Sequence, residues 1–175
     1  MSSSHGFPSS VARTAALLLE HLRISDPVAW ELLCFHGFLG PSRVPFNLVN
    51  HQWRAIGPAV REAGRRIQGS SKQRALALLN PLFEHSCLQR LINTEDYCVR
   101  PVIGRMVLAN LCGSECLSAF EHAVMAVWRE TQHSDSMLDR HLLVPHARRL
   151  IDFGSKAGAL FPELSDLASR IRLPV

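Results

Sequence analysis

Asp26–Phe46 reads DPVAWELLCFHGFLGPSRVPF, and this stretch decides the fold. Asp26 is an N-cap residue, because its carboxylate can accept from the free N–H groups of a first helical turn. Pro27 suits the first helical position, where its missing N–H costs nothing. Leu32, Leu33, Phe35, Phe38 and Leu39 then form a dense apolar face at helical spacing. Gly40-Pro41 ends the helix, and Val44-Pro45-Phe46 starts a new element after a tight corner. The stretch therefore predicts a short helix that is meant to be buried.

Working outward, Ser10 caps a helix over Val11–Leu22 with Ala15, Leu18, Leu19 and Leu22 inward. Arg23–Ser25 connects it to Asp26, and Met1–Ser9 is expected to be a disordered, polar lead-in. Phe46–Trp53 predicts a short helix or turn, broken at Gly57-Pro58. Pro58–Ile67 is helical with Arg61, Arg65 and Arg66 outward. Gly69-Ser70-Ser71 is a linker. Lys72–His85 is amphipathic, and Pro81 should kink or shorten it. Leu88–Ile92 and Tyr97–Arg100 read as two short strands, with turn chemistry at Asn93–Asp96. Pro101 opens a helix to about Leu111.

Beyond Gly113 the pattern is helical throughout. Ser114–Gln132 carries Leu117, Phe120, Val124, Val127 and Trp128 on one face. His133–Ser136 is a loop. Met137–Gly154 is helical despite Pro145, and Pro162 opens a last helix over Glu163–Ile171. The expected fold is mainly α: a winged-helix-like domain at 10–111 with one small β-hairpin, followed by helices at 112–175. Those helices resemble the start of a TPR array or α-solenoid.

A chain of 175 residues with 47% hydrophobic content can bury a real core, and its net charge of +4 is scattered rather than massed. Five cysteines, Cys34, Cys87, Cys98, Cys112 and Cys116, read as reduced, mostly buried thiols of an intracellular protein. The first ten residues lack a secretory pattern, and no run approaches the ~18 apolar residues of a membrane span. A cytoplasmic location is expected.

In this order the chain resembles the region downstream of the nucleotide-binding core in STAND-type NTPases (NB-ARC proteins with TPR arrays). DPVAWELLCFHGFLGPSRVPFNLV at 26–49 resembles the family's DPxAxxLL…FLxPxxIP helices. ALALLNPLFEHSCLQRLI at 75–92 resembles its helix and strand, and LLVPHARR at 142–149 resembles the helix leading into the TPR array. Arg100-Pro101 stands where such proteins carry the histidine of VHRLVQ, which faces the nucleotide domain, so Arg100 is the candidate regulatory position. No phosphate-binding loop occurs, since Gly69-Ser70-Ser71-Lys72 lacks the paired glycine and the Ser/Thr after Lys. The resemblance therefore implies a regulatory, scaffolding piece without the NTPase, either a shortened relative or part of a longer protein. It also implies His146 as a packing residue at a helix contact.

Function is expected to be non-catalytic protein interaction with no cofactor, the partner being a protein such as a nucleotide-binding domain on another chain. Cys112 and Cys116, with His122 nearby, read as core thiols rather than a zinc site, for want of a second ligand pair. A nucleophile set could be drawn from Cys116, His146 and Asp152 in a small helical enzyme, yet no strand-turn-helix elbow accompanies it. Arg61, Arg65, Arg66, Lys72 and Arg74 form the densest basic region and support a DNA-binding winged helix as the alternative. They carry no interleaved aromatic or base-reading residue, so nucleic acid is not the expected partner. Trp30 and Trp128 read as core.

Overall fold

The computed structural model describes residues 9–133, 137–159 and 161–171. The described residues form nine helices and one two-stranded hairpin. The helices are α1 (Ser9–Ser25), α2 (Pro27–Leu39), α3 (Phe46–Ile56), α4 (Pro58–Arg66), α5 (Ser71–Glu84), α6 (Pro101–Asn110), α7 (Gly113–His133), α8 (Met137–Ala157) and α9 (Pro162–Ile171). Strands β1 (Leu88–Arg90) and β2 (Tyr97–Val99) pair antiparallel between α5 and α6, with Gln89 opposite Cys98. The mainly α fold with one small hairpin is therefore as expected from the sequence.

Helix α2 is the axis of the molecule. Asp26 caps it through Ala29 N (2.9 Å), with Pro27 at its start. Ten of its thirteen residues are buried, on every side of the helix. It packs against α1 and against α3 through α8. A helix apolar all round requires neighbours all round, and this chain supplies them. Phe38 of α2 sits 5.5 Å from Phe120 of α7 and 5.0 Å from Phe153 of α8, and Phe120 reaches Phe161 at 5.9 Å. One continuous core thus spans both sides of residue 111. Centroid spacings of this kind suit edge and tilted ring packing.

Several local expectations are corrected. Arg23–Ser25 is the last turn of α1, leaving Asp26 as the whole connection to α2. Of the two readings for Phe46–Trp53, the helix holds, and it runs on to Ile56 over eleven residues. Ser70 and Gln73 form a reciprocal capping box, so the linker ends at Ser70 and Ser71 is already helical. Pro81 lies inside α5, which ends at Glu84, one residue before the expected end. The strands end at Arg90 and begin at Tyr97, leaving Ile92 89% exposed. Leu117 is 53% exposed, off the inner face of α7 that Phe120, Val124 and Val127 define. His133 is helical, and Ser9, expected in the lead-in, already belongs to α1; the rest of that lead-in and the loop at 134–136 lie outside the described residues.

Close approach fixes one helix contact through glycine. A Cβ on Gly64 of α4 would lie 2.4 Å from the Trp53 ring of α3, so only glycine lets the two helices meet there. Phe35→Ala, at a fully buried ring of α2, is expected to cost about 3–5 kcal/mol. Leu117→Ser should change stability by less than about 0.5 kcal/mol. Urea unfolding of both variants checks the two faces together.

Candidate functional site

The end of α2 needs partners that its own helix cannot give, because the last carbonyls of any helix lack an intrahelical donor. His36 O takes the Gly40 N–H at 3.1 Å, and Gly40 sits at a φ of +79°, a conformation glycine adopts freely. The last two carbonyls, those of Phe38 and Leu39, are met from α8. Arg149 Nε donates to Phe38 O (3.1 Å), and the His146 ring contacts Leu39 O through Nδ1 and Arg43 O through Nε2, both at 2.8 Å. The following corner is fastened to the hairpin. Val44 and Tyr97 exchange backbone hydrogen bonds at 2.7 and 3.2 Å. Asp96 accepts from Arg43 and from the Phe46 N–H.

Two buried histidines belong to this corner. Leu32 O can only accept, so the neutral His36 ring donates to it from Nδ1 and accepts the Tyr97 hydroxyl at Nε2 (2.8 Å). Burial lowers the His36 pKa to about 4, against the opposing pull of Leu32 O, and burial raises that of Tyr97. His146 faces two acceptors. A neutral ring can donate to only one, whereas an imidazolium would satisfy both. Burial lowers its pKa, the two carbonyls oppose that, and Arg149 adds to the lowering.

Arg100 lies beside this corner, at the N-cap position of α6, where its N–H donates to Cys87 O (3.1 Å). Burial pushes the Cys87 thiol up to about 11, with Arg100 partly offsetting it. A cavity of about 220 Å³ opens here, walled by Gly40, Arg100, Pro101 and Gly104 and by two further arginines, Arg105 and Arg149. None of its lining residues is acidic. Sequence reasoning singled out Arg100 alone. Arg149 is 49 residues away, and nothing local in LLVPHARR marks it as a neighbour of Pro101.

The other basic residues are engaged. Arg65 and Arg66 pair with Glu62 on their own helix, Lys72 pairs with Glu95 of the hairpin turn, and Arg61 donates to Arg54 O. Arg74 lies over the Trp53 ring at 5.2 Å and donates to Ile67 O. They share the α4–α5 region, yet each is turned toward a neighbour on the protein itself.

Cys116 and His146 are not brought together. Glu115, next to Cys116, accepts the Trp30 indole N–H (2.7 Å) near the start of α2, whereas His146 closes the other end. Trp30 and Leu39 are nine residues apart, roughly 13 Å along a helix. Asp152 is exposed. The expected core thiols at 112 and 116 are corrected too: Cys112 is exposed in the break before α7, and Cys116 is half-buried. Among the described residues, no three His, Cys, Asp or Glu side chains gather to hold a metal.

A second concavity, about 260 Å³, is lined by Trp30, Glu31, Cys34, Glu115 and His122. Its polar groups are committed: Glu31 accepts the Val60 N–H, and Glu115 accepts from Arg23 and Trp30. Burial raises the Cys34 thiol far above its ordinary value and lowers His122. The raised thiol pKa disfavours the nucleophilic thiolate of Cys34 at neutral pH. Trp128, half-buried on α7, donates to Asp166 of α9 (2.7 Å), which with Arg170 holds that carboxyl below its usual range.

His36, His122 and His146 all have lowered pKa values, so the unfolded chain binds more protons below about pH 6.5. Stability is therefore present in full above that pH and falls as pH drops toward 4. Urea titrations between pH 7 and pH 4 should show a decline of about 3 kcal/mol from His36 alone. Separately, His146→Ala should cost about 1–3 kcal/mol for each carbonyl left without a donor.

No family model, curated protein or solved structure matches this chain.

Proposed function

We propose that this chain is a non-catalytic protein-interaction module of the regulatory kind that follows the nucleotide-binding core in STAND-type NTPases. The observation that carries the reading is the two-sided character of α1. Its inner face, Ala15, Leu19 and Leu22, is buried in the core. Its outer face presents Leu17 and Ile24, 68% and 77% exposed and seven residues apart, hence on one stripe. An edge helix with apolar residues on both faces is suited to cover by another protein. The partner is a protein surface, in the resemblance a nucleotide-binding domain on another chain, and the setting is cytoplasmic. Among the described residues no helix is long and apolar enough to cross a membrane. The DNA-binding alternative is weakened where Arg65 and Arg66 share Glu62 and Lys72 pairs with Glu95, since those carboxylates offset part of the positive charge of α4 and α5. The enzyme alternative draws no support from Cys116, His146 and Asp152, which stand apart.

The Leu17→Glu/Ile24→Glu double variant should melt with the wild type and lose the protein that wild-type bait retains from native lysate. Equal retention by both baits, or nothing retained by the wild type, overturns the reading. So does micromolar ATP binding or tight, salt-dependent binding of duplex DNA.

A further inference from the structure

We propose that the arginine-lined cavity beside Arg100 is an oxyanion site, and that it takes a phosphate monoester carried on a side chain of the partner protein. The site itself stands on its own geometry; the protein source of the anion rests on the interaction reading above.

Arg100 at the β2–α6 junction and Arg149 on α8 line the cavity from separate parts of the fold, with Arg105 of α6 alongside. Some arginines of this chain pair with carboxylates, as in Arg23–Glu115, Arg43–Asp96 and Arg170–Asp166, and others meet carbonyls or rings. Among the described residues no carboxylate pairs with Arg100 or Arg149. Positive charge left uncompensated in a concavity is what an anion requires.

Arg149 is also preset. Its Nε is spent on Phe38 O, and a Cβ on Gly40 would lie 2.8 Å from its Cδ, so its stem runs directly over that glycine. The guanidinium is thereby fixed in one plane, with its two terminal nitrogens beyond the occupied Nε. A rigid fork of this sort matches two oxygens of one phosphate. The wall opposite is the start of α6, a ten-residue helix with no side-chain cap. Pro101 has no N–H to give, and the first intrahelical bond of α6 begins at Gly104. The positive end of that helix adds to the arginines.

Size selects the ligand class. The cavity is smaller than the ~300–1,000 Å³ of sites that engulf a drug-sized molecule. It fits a phosphate group and leaves the carrier outside, which suits a modified side chain on a docked surface better than a whole nucleotide.

The test is amide NMR of the full chain at constant ionic strength. Sodium phosphate should produce saturable shifts confined to Gly40 and the Arg100–Gly104 turn, and sodium chloride should not. Arg100→Gln, at an exposed side chain, should weaken phosphate by about fivefold or more without altering the melt. Arg149→Lys keeps the charge and loses the fork, and should weaken it as well. Shifts that do not saturate, that chloride reproduces, or that survive Arg100→Gln unchanged overturn the site. For the source, N-acetyl-phosphoserine amide should bind there and N-acetylserine amide should not. Adenosine diphosphate binding tenfold tighter than the phosphoserine amide, or no binding by that amide, overturns the protein-borne half. The α1 double variant probes a different surface, so the interaction reading and the anion site can fail separately.

Discussion

The carbonyl groups that end α2 are the constraint on which this structure turns. α2 is buried on all sides, so its C-terminal acceptors cannot be left to water. The chain answers with two side chains from α8, three residues apart and hence on one face of that helix: His146 to Leu39 O and Arg149 to Phe38 O. Arg149 also brings a cation to the negative end of the α2 dipole, as Asp26 brings an anion to the positive end. The aromatic cluster of Phe38, Phe120 and Phe153 supplies the apolar counterpart, and together they make the helices after residue 111 part of the same core.

What the sequence made legible is what is decided within a few residues. Asp26-Pro27 and Gly40-Pro41 mark both ends of α2, Pro101 marks the start of α6, and the hairpin shows as two short apolar runs around a polar turn. Where the reading missed, it lacked information about extent or about distant partners. Leu117 obeys the period of α7, but periodicity says which face a residue shares, not how far the covering helices reach. Cys112 was assigned to the core from the habits of free thiols, yet it falls in the exposed break ahead of α7.

The candidate site was legible at one residue only. Arg100 could be singled out because of its place after the second strand. Arg149, and the service His146 and Arg149 perform for α2, depend on pairings more than one hundred residues apart, for which no local spacing exists. The same holds for His36 and Tyr97, whose hydrogen bond joins α2 to the hairpin across 61 positions. A histidine in the middle of an apolar helix is the trace such a bond leaves in sequence, but the trace does not name the partner.

These long pairings also explain why the cavity sits where it does. A helix end closed from outside leaves the closing residues at a junction of three elements, and junctions are where concavities form. Arg149 must be at that junction to meet Phe38 O, and only one of its nitrogens is needed there. Arg149 thereby lines the space between Gly40 and Pro101. Arg100 arrives at the same space because the Val44–Tyr97 pairing draws the hairpin, and with it the start of α6, against the corner after α2. The bonds that close α2 and dock the hairpin are therefore the same bonds that gather the positive charge.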